Sequence, residues 1–376
     1  MLEIDMNPNE EPKLITNLKA IGIGGAGGNA INTMIELGQE NVEFWAVNTD
    51  VKDLQKSKAK NKLQIGKRIT KGFGAGSNPD IGRKSAEESK EEIRQMLEGA
   101  DLVFIVAGMG GGTGTGAAPV VSSIAKEMGI LTIGIVNTPF AFDGKKKMTY
   151  ANKGIEKLRE AVDTLIIVPN VKLQEIYAKE TIKDVFKIAD KILYEGAKAI
   201  SDIIQETGFI NVDFADVKTV MQNRGLALMG IGFGEGDNRA VQAAESAMKN
   251  PLLSDLELCD AKGLLINVTV GSDFKMEEYA TINDLIVKRA GDEGDIIPGL
   301  VFDDDMEGKI KVTLIATGLK YSTAQMREVV TIKETTEPDE DVKDTFKKIK
   351  NTVPRNSGYA KTIKRDVPAF IRKMAN

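Results

Sequence analysis

The sequence predicts an α/β protein: a Rossmann-like parallel-sheet domain, a central core helix, and a second, smaller mixed α/β domain. Between residues 18 and 169, short β-rich segments alternate with helical ones, which is typical of a parallel sheet covered by helices on both faces. The segment Ile182–Gln205 repeats apolar residues every three or four positions, which indicates a long helix buried between two layers. After residue 224, strands and helices alternate again over a shorter stretch.

The individual elements follow from the same patterns. In the first domain we expect strands at Lys19–Ile23, Val42–Val47, Leu102–Ala107, Leu131–Val136 and Leu165–Val168. In the second domain we expect strands near Ala227–Ile231, Leu264–Val270, Ile296–Phe302 and Ile310–Ala316, and helices near Arg239–Lys249 and Met276–Arg289. The glycine-rich stretches Gly232–Gly236 and Gly291–Gly294 are interpreted as turns.

The composition excludes several kinds of site. The 376 residues contain no histidine, which rules out a histidine general base, a Ser-His-Asp triad and a histidine-ligated zinc ion. The single cysteine, Cys259, cannot form a disulfide within the chain and indicates a reducing compartment. We therefore assign no metal ligand, and the chemistry falls to carboxylates, lysines, tyrosines and backbone amides.

The charge and the first residues predict a cytoplasmic protein. The formal net charge is −5, which argues against nucleic acid as a partner. The first 17 residues are polar and acidic and lack the apolar core of a signal peptide. The sequence contains no run of 18 apolar residues, so we expect no direct insertion into a membrane.

The first glycine-rich motif, GIGGAGGN at residues 22–29, lies between a predicted strand and a helix. Glycine lets backbone amides approach an anion closely, and the start of a helix favours negative charge. Gly22, Gly24 and Gly27 fit the pattern GxGxxG, and Asp50 closes the second strand, so a dinucleotide site of the Rossmann type also fits. This motif alone leaves both kinds of ligand open.

The second glycine-rich motif, MGGGTGTG at residues 109–116, follows the strand predicted at Leu102–Ala107. It precedes a helix that we expect to begin near Ala117. Its glycines and threonines supply many amides and hydroxyls, which suit the wrapping of a di- or triphosphate. A Rossmann enzyme needs no second loop of this kind, and a tight structural turn is the alternative.

The GGGTGTG sequence closely resembles the signature of the FtsZ/tubulin superfamily, and the resemblance to its bacterial FtsZ members runs through residues 18–318 in order. It implies the tubulin/FtsZ fold and hydrolysis of GTP to GDP. The implied domains are a flexible leader at 1–17, a GTP-binding domain at 18–184, a core helix at 185–206, a C-terminal GTPase-activating domain at 207–318, a disordered linker at 319–362 and a partner-binding peptide at 363–376.

The resemblance also implies which residues bind GTP or GDP. Ala75 and Gly76 match a loop that senses the γ-phosphate. Asp143 and Lys147 match positions that contact ribose and phosphate, where the family more often has Glu and Arg, and a solvated charged loop is the alternative. The implied contacts are Gly24, Gly25, Ala26, Gly27, Gly28, Asn29, Ala75, Gly76, Gly110, Gly111, Gly112, Thr113, Gly114, Thr115, Gly116, Pro139, Asp143, Lys147, Phe186 and Asp190.

Two of these residues lie on the long predicted helix. Phe186 and Asp190 are four positions apart and therefore share a helix face. The resemblance implies that Asp190 accepts hydrogen bonds from guanine N1 and N2. It implies that Phe186 stacks on the base, although the apolar stripe of the helix would also fit a place in the core.

Residues 211–217, NVDFADV, resemble a family loop that completes the active site of a neighbouring subunit. The resemblance implies that Asn211, Asp213 and Asp216 are catalytic and that the aspartates position or polarise the attacking water. Asn211 or Asp213 could equally cap the next helix. We expect Mg²⁺ to bridge the β- and γ-phosphates, with K⁺ as a possible second cation.

The chain ends in KRDVPAFIRK at residues 364–373, which resembles the FtsZ tail peptide. As a helix it would place Val367, Phe370 and Ile371 on one face, and a disordered basic end is the alternative. The implied partners are further copies of this chain in a head-to-tail homopolymer, an actin-like adaptor that tethers the filament to the membrane, and other division regulators. The implied location is a ring at mid-cell.

Two other functions stay open at this point. An NAD(P)-dependent oxidoreductase rests on GxGxxG alone and leaves the loops at 109–116 and 211–217 without a role. A tubulin-like GTP-binding protein that does not act in division would not need both aspartates and the tail peptide.

Overall fold

A computed structural model describes residues 16–39, 41–205, 213–253, 258, 261–291 and 294–319. Asn211, Cys259, nearly all of the expected leader and linker, and the expected tail peptide lie outside these residues. None of the described helices combines the length and the apolar character needed to cross a lipid bilayer.

The described elements agree closely with the predicted ones. The strands are β1 Leu18–Ile23, β2 Val42–Asn48, β3 Asn61–Gln64, β4 Leu102–Gly108, β5 Leu131–Asn137, β6 Thr164–Val168, β7 Gly225–Glu235, β8 Gly263–Val270, β9 Asp295–Phe302 and β10 Lys309–Thr317. The helices are α1 Gly24–Glu36, α2 Val51–Lys56, α3 Lys67–Thr70, α4 Pro79–Glu88, α5 Lys90–Leu97, α6 Thr113–Glu127, α7 Lys145–Ala161, α8 Asn170–Ile176, α9 Ile182–Gln205, α10 Phe214–Met221, α11 Arg239–Met248 and α12 Met276–Ala290.

All described strands join one sheet, in the order β3-β2-β1-β4-β5-β6-β7-β10-β8-β9. The strands from β3 to β7 are parallel to their neighbours. β10 runs antiparallel to β7 and β8, and β9 is parallel to β8. The Rossmann-like part and the mixed part are therefore joined by the short pairing of β6 with β7, while the domain boundaries given above stay a prediction.

Helix α9 packs on one face of the parallel sheet and runs from the carboxyl ends of the strands to their amino ends. Its 24 residues give it a length of about 36 Å. Near its start, Phe186 contacts Phe140, which follows the carboxyl end of β5. At its end, Gln205 donates a hydrogen bond of 2.6 Å to the carbonyl of Asn41, directly before the amino end of β2. The two ends of α9 therefore lie at opposite ends of the parallel strands. We call the side of the sheet where these strands end its carboxyl edge, and the side where they begin its amino edge.

Three features differ from the sequence prediction. Strand β3 was not predicted, because its sequence NKLQ has almost no apolar character. Helix α6 begins at Thr113 rather than near Ala117, so Gly114, Thr115 and Gly116 belong to its first turns. The stretch read as a turn at 232–236 lies mostly within β7, where a β-carbon on Gly232 would lie 2.1 Å from the carbonyl oxygen of Ala243 in α11.

Candidate active site

The site begins where the parallel strands end. The last residues of β1, β4 and β5 lie side by side, since Ile23 is paired with Ala107 and Gly108 with Asn137. Helix α1 begins directly after β1, and α6 begins five residues after β4, so the starts of both helices lie at this edge. Ligands of open parallel sheets bind at such an edge, and helix starts favour anions.

The glycines let the predicted loops approach one another. A β-carbon on Gly24, whose φ is +76°, would lie 2.9 Å from the backbone nitrogen of Gly114, so the two helix starts touch. A β-carbon on Gly112 would lie 2.8 Å from the Ala75 β-carbon and 2.9 Å from the Asn78 nitrogen. The structure thus brings together the loops predicted to bind phosphate.

The same packing joins the region after β5 to the glycine-rich loop. A β-carbon on Gly110 would lie 2.6 Å from the Pro139 ring and 2.9 Å from the carbonyl oxygen of Lys147. The amide of Gly110 donates a hydrogen bond of 2.8 Å to the Thr115 hydroxyl, which fixes the loop over its own helix. Pro139 and Lys147 therefore border the same loop, while their contact with a nucleotide stays a prediction.

The glycines of the site divide into two groups. Gly25, Gly28 and the neighbouring Ala26 and Asn29 keep exposed surface on the first turn of α1. Gly25, Gly28 and Asn29 border a cavity of about 270 Å³ that also reaches Asp53 of α2. The second group consists of Gly27, Gly114 and Gly116. A β-carbon on these residues would collide with a backbone carbonyl oxygen, that of Val106, Gly108 and Pro79 respectively. The absence of a side chain in this second group serves the packing of the helices.

The hydroxyls of Thr49 and Thr113 connect the loop after β2 with the start of α6. Their oxygens are 2.7 Å apart and both side chains are buried. The loop before α4 is fixed separately, because Asn78 caps that helix by accepting a hydrogen bond from the Asp80 amide. Pro79 stands at the first helical position, where proline is favoured.

Asp143 and Lys147 form an ion pair. Lys147 Nζ lies 2.6 Å from Asp143 Oδ1, and the other carboxylate oxygen accepts a hydrogen bond from the Phe140 amide. The pair holds the 3-10 turn at Ala141–Asp143 against the start of α7. The expected contact of Asp143 and Lys147 with ribose and phosphate stays a prediction.

Three phenylalanines gather beside the start of α9. Phe142 stacks on Phe140 with ring centroids 5.1 Å apart, and Phe186 meets Phe140 edge-on at 5.0 Å. They border an apolar cavity of about 210 Å³. Phe186 is 45% exposed, so it does not lie in the core, and a planar base has access to its ring.

Asp190 lies one helical turn after Phe186 and differs from the other carboxylates of the site. Within the described residues it has neither a hydrogen-bond donor nor a cation as partner. Although part of its side chain is exposed, protein surrounds the carboxyl group, and this desolvation raises its pKa from 3.8 to about 7. A ligand that donates hydrogen bonds here would satisfy the carboxylate and lower its pKa.

Asp213 and Asp216 lie at the opposite edge of the sheet. Asp213 caps α10 by accepting a hydrogen bond of 2.8 Å from the Asp216 amide, and both aspartates are exposed. The last residue of α10, Met221, accepts a hydrogen bond from Thr164 at the amino end of β6. The structure therefore separates these two predicted catalytic residues from the glycine loops of the same chain.

Two buried polar residues at the site were not predicted. Thr138 directly follows β5, and Asn170 is the second residue after β6; both are at most 4% exposed. In the described part of the chain, Thr138 Oγ1 and Asn170 Oδ1 have no hydrogen-bond partner, which is costly for buried oxygens. Their positions after strand ends could have indicated them, as that signal identified the neighbouring loops.

The carboxylates of the site do not form a metal cage. The described residues contain no cluster of three Asp, Glu, His or Cys side chains that could hold an ion. Mg²⁺, the ion expected with GTP, keeps several waters and binds mainly through substrate phosphates and one or two protein groups. Asp50 and Asp53 are the carboxylates beside the phosphate loops that could contribute such groups.

Two family models and several solved structures match this chain. Residues 17–178 match the family model described as "Tubulin/FtsZ family, GTPase domain", and residues 225–320 match "FtsZ family, C-terminal domain".

Among solved structures, an empty FtsZ dimer from M. jannaschii is 42% identical to this chain, with a TM-score of 0.77. The match covers 81% of this chain and 88% of that one. A tryptophan-to-tyrosine mutant of M. jannaschii FtsZ is 41% identical, with a TM-score of 0.78 and coverage of 82% and 94%. CetZ2 from Haloferax volcanii, solved as a protofilament with GTPγS, is 20% identical, with a TM-score of 0.70 and coverage of 84% and 98%. At that identity the last match shows the fold alone.

Proposed function

Because this chain belongs to the tubulin/FtsZ family of GTPases, we propose that it hydrolyses GTP at sites completed by two copies stacked head to tail. The observation that carries this proposal is the separation of the two halves of the site. The glycine loops lie at the carboxyl edge of the sheet, whereas Asp213 and Asp216 lie at its amino edge. One copy therefore cannot apply its own aspartates to its own nucleotide.

The half of the site that contains the glycine loops and Asp190 binds the nucleotide and selects guanine. The amides of α1 and of the loop at 110–112 hold the phosphates, Asn29 borders the cavity next to them, and Phe186 lies beside the base. Asp190 selects guanine, because guanine presents two adjacent donors, N1–H and N2–H, whereas adenine presents no matching pair. The unpaired state and raised pKa of this carboxyl group support that role.

The half of the site that contains Asp213 and Asp216 positions the nucleophile, which is a water molecule. Exposed carboxylates that reach the γ-phosphate of a neighbouring copy can orient a water molecule and accept its proton. Mg²⁺, when bound with GTP, neutralises charge on the β- and γ-phosphates. The absence of histidine is no obstacle, because phosphoryl transfer depends mainly on positioning and electrostatic stabilisation.

At the level of the cell, we propose that GTP-bound copies assemble into the filaments of a division ring. The identity to FtsZ over most of the chain supports this role. The tail peptide would then bind an actin-like adaptor at the membrane and other regulators, in the cytoplasm at mid-cell. The shared fold with CetZ2 keeps a second candidate, a GTP-dependent filament outside division. Localisation of the tagged chain in dividing cells separates the two.

The biochemical proposal is tested by the dependence of turnover on protein concentration. Turnover per molecule should rise with concentration, because a complete site needs two copies. Light scattering should rise with GTP and not with GDP. Turnover per molecule that is constant from dilute to concentrated protein would contradict the shared site.

A further inference from the structure

The last turn of α10 ends in backbone carbonyls that the helix itself cannot satisfy. Such carbonyls need partners from outside the helix. In α10 the carbonyl of Lys218 still accepts a hydrogen bond of 2.7 Å from the Gln222 amide. The next three carbonyls, those of Thr219, Val220 and Met221, instead accept hydrogen bonds from side chains. The end of this helix is therefore held by specific residues.

Two of the donors are buried threonines on different strands of the sheet. The Thr164 hydroxyl, at the amino end of β6, donates to the carbonyl of Met221. The Thr317 hydroxyl, at the end of β10, donates at 2.9 Å to the carbonyl of Val220. These bonds attach α10 to both the Rossmann-like part and the mixed part of the sheet.

Arg224 is the third donor and makes the most contacts. Its Nε and Nη2 atoms both donate to the Thr219 carbonyl, at 3.3 and 3.1 Å. Nη1 donates at 3.4 Å to the carbonyl of Lys262, directly before β8, and Nη2 also donates to the carboxylate of Asp295, the first residue of β9. One planar guanidinium group thus joins the end of α10 to two strands, and its charge lies at the helix end that favours a cation.

The start of α10 has no comparable attachment. Asp213 accepts a hydrogen bond from the Asp216 amide of the same helix. In the described part of the chain, the hydrogen bonds that join α10 to other elements all lie at its last turn. The buried side chains of Val217, Val220 and Met221 pack the helix on the sheet, but apolar packing has no direction of its own. The hydrogen bonds at the last turn therefore set the orientation of the first turn.

The short length of α10 carries this orientation to the aspartates. Its eight residues span about 12 Å, so the helix moves as one rigid piece. A shift of its last turn therefore displaces the carboxylates of Asp213 and Asp216. Displacement of a reacting group by about 1 Å can lower a rate about 100-fold.

We propose that Arg224 is a positioning residue for GTP hydrolysis. It holds the last turn of α10 so that Asp213 and Asp216 meet the nucleotide of the next copy in the geometry that hydrolysis needs. This inference rests on the proposed function and adds the residue that orients the helix with the two aspartates. Arg224 acts through α10 and is not itself catalytic.

The test measures GTP turnover of full-length Arg224→Ala per copy in the sedimented filament. Dividing by sedimented protein separates positioning from assembly. At saturating GTP the turnover should fall about 10- to 100-fold, because the aspartates lose their orientation. The KM for GTP and the binding of a fluorescent GTP analogue should not change, because the glycine loops are intact.

Arg94→Ala is the matched control for the loss of an arginine. Arg94 is also paired with a carboxylate, 2.8 Å from Glu127, but it lies on α5 and does not contact α10. Its replacement should change turnover by less than about twofold, since surface ion pairs contribute little.

Arg224→Lys tests the fork of donors and carries the experiment if the alanine variant does not fold. Lysine keeps a positive charge at the helix end but cannot donate from a planar group. The thermal unfolding midpoint should therefore stay near that of the wild type. Turnover should still be several-fold lower, between the values for Arg224→Ala and the wild type.

Mixing variants separates a positioning role from general damage to the fold. Arg224→Ala should recover turnover when mixed with Asp190→Ala, which binds guanine poorly but supplies sound aspartates. It should not recover when mixed with Asp213→Ala, because neither copy then offers a complete pair of oriented aspartates. General damage to the fold would give poor recovery with both partners.

Two outcomes would overturn the role of Arg224. One is wild-type turnover per sedimented copy in both Arg224→Ala and Arg224→Lys. The other is recovery that does not depend on which partner is mixed in. The proposed function has its own control, a mixture of Asp213→Ala with Asp190→Ala, in which Arg224 is intact. Recovery in that control together with either outcome rejects only the role of Arg224, whereas failure of the control rejects the shared site.

Discussion

We propose that the carboxyl group of Asp190 links protonation to nucleotide binding. Its pKa of about 7 in the folded protein lies above the ordinary value of 3.8. Without ligand, the group therefore stabilises the fold below pH 4, and that contribution is lost as the pH rises through about 7. A bound guanine reverses the preference, because its two N–H donors favour the ionised carboxylate.

We predict that GDP binds more weakly at low pH because Asp190 must ionise to bind the base. About a tenth of the groups are ionised at pH 6 and about nine-tenths at pH 8, so Kd should be about tenfold higher at pH 6. Calorimetry on the wild type and on Asp190→Asn measures this. Because Asp190→Asn has no carboxyl group at this position, any remaining pH dependence of its Kd comes from protonation of the phosphates. The tenfold change in Kd that comes from Asp190 should be absent in this variant. An equal pH dependence in both proteins would contradict the role of Asp190.

A second prediction concerns the room for a side chain at Gly112. Gly112→Ala places a β-carbon 2.8 Å from Ala75, whereas a β-carbon on Gly111 would meet nothing within 4 Å. Gly112→Ala should therefore lower the free energy of unfolding by about 1–3 kcal/mol, as overpacking does, and Gly111→Ala should change it by less than about 0.5 kcal/mol. Chemical denaturation gives both values. Equal stabilities of the two variants would show that the loops do not touch as described.

At the scale of elements, α10 gives Asp213 two roles that can be separated. Its carboxylate caps the helix by accepting from the Asp216 amide, and we propose that it also acts on the nucleotide of a neighbouring copy. A serine can replace the cap, because its hydroxyl accepts the same hydrogen bond, but it cannot replace a carboxylate in catalysis.

We therefore predict a divergence between Asp213→Ser and Asp213→Ala. Asp213→Ala should lose about 0.5–2 kcal/mol of stability together with turnover. Asp213→Ser should keep the stability and still lose turnover by at least tenfold, while both bind GTP normally. Thermal unfolding, GTP binding and phosphate release measure the three properties. Normal turnover of Asp213→Ser would mean that the residue is only a cap.

Much of the fold could be predicted at this scale, because long periodic patterns such as that of α9 fix the type of element. The sequence does not predict strand β3, because that strand is short and polar. It also leaves open whether Phe186 lies in the core or at the surface, because an apolar residue at a helix end fits both positions equally. The pairing of β6 with β7 depends on contacts distant in sequence, which no local pattern contains. The buried oxygens of Thr138 and Asn170 were likewise visible only in three dimensions.

At the scale of the whole molecule, the sheet sets the distance between the two halves of the site. Helix α9 spans about 36 Å from the phenylalanine cluster to the amino edge, and its rigidity keeps the aspartates away from their own nucleotide. In the filament that we propose, stacking copies in one direction brings each acidic end to the next nucleotide end. Under that proposal assembly completes the active site, and the second copy acts as the activator of hydrolysis.

The central claim is tested most directly by mixing two inactive variants. Asp213→Ala binds GTP but offers no catalytic carboxylate at that position, and Asp190→Ala offers the acidic end but binds guanine poorly. Each alone should release phosphate slowly at every concentration, and an equimolar mixture should recover activity because the two supply one complete site. Phosphate release by the mixture that only equals the sum of the separate rates would contradict the shared site.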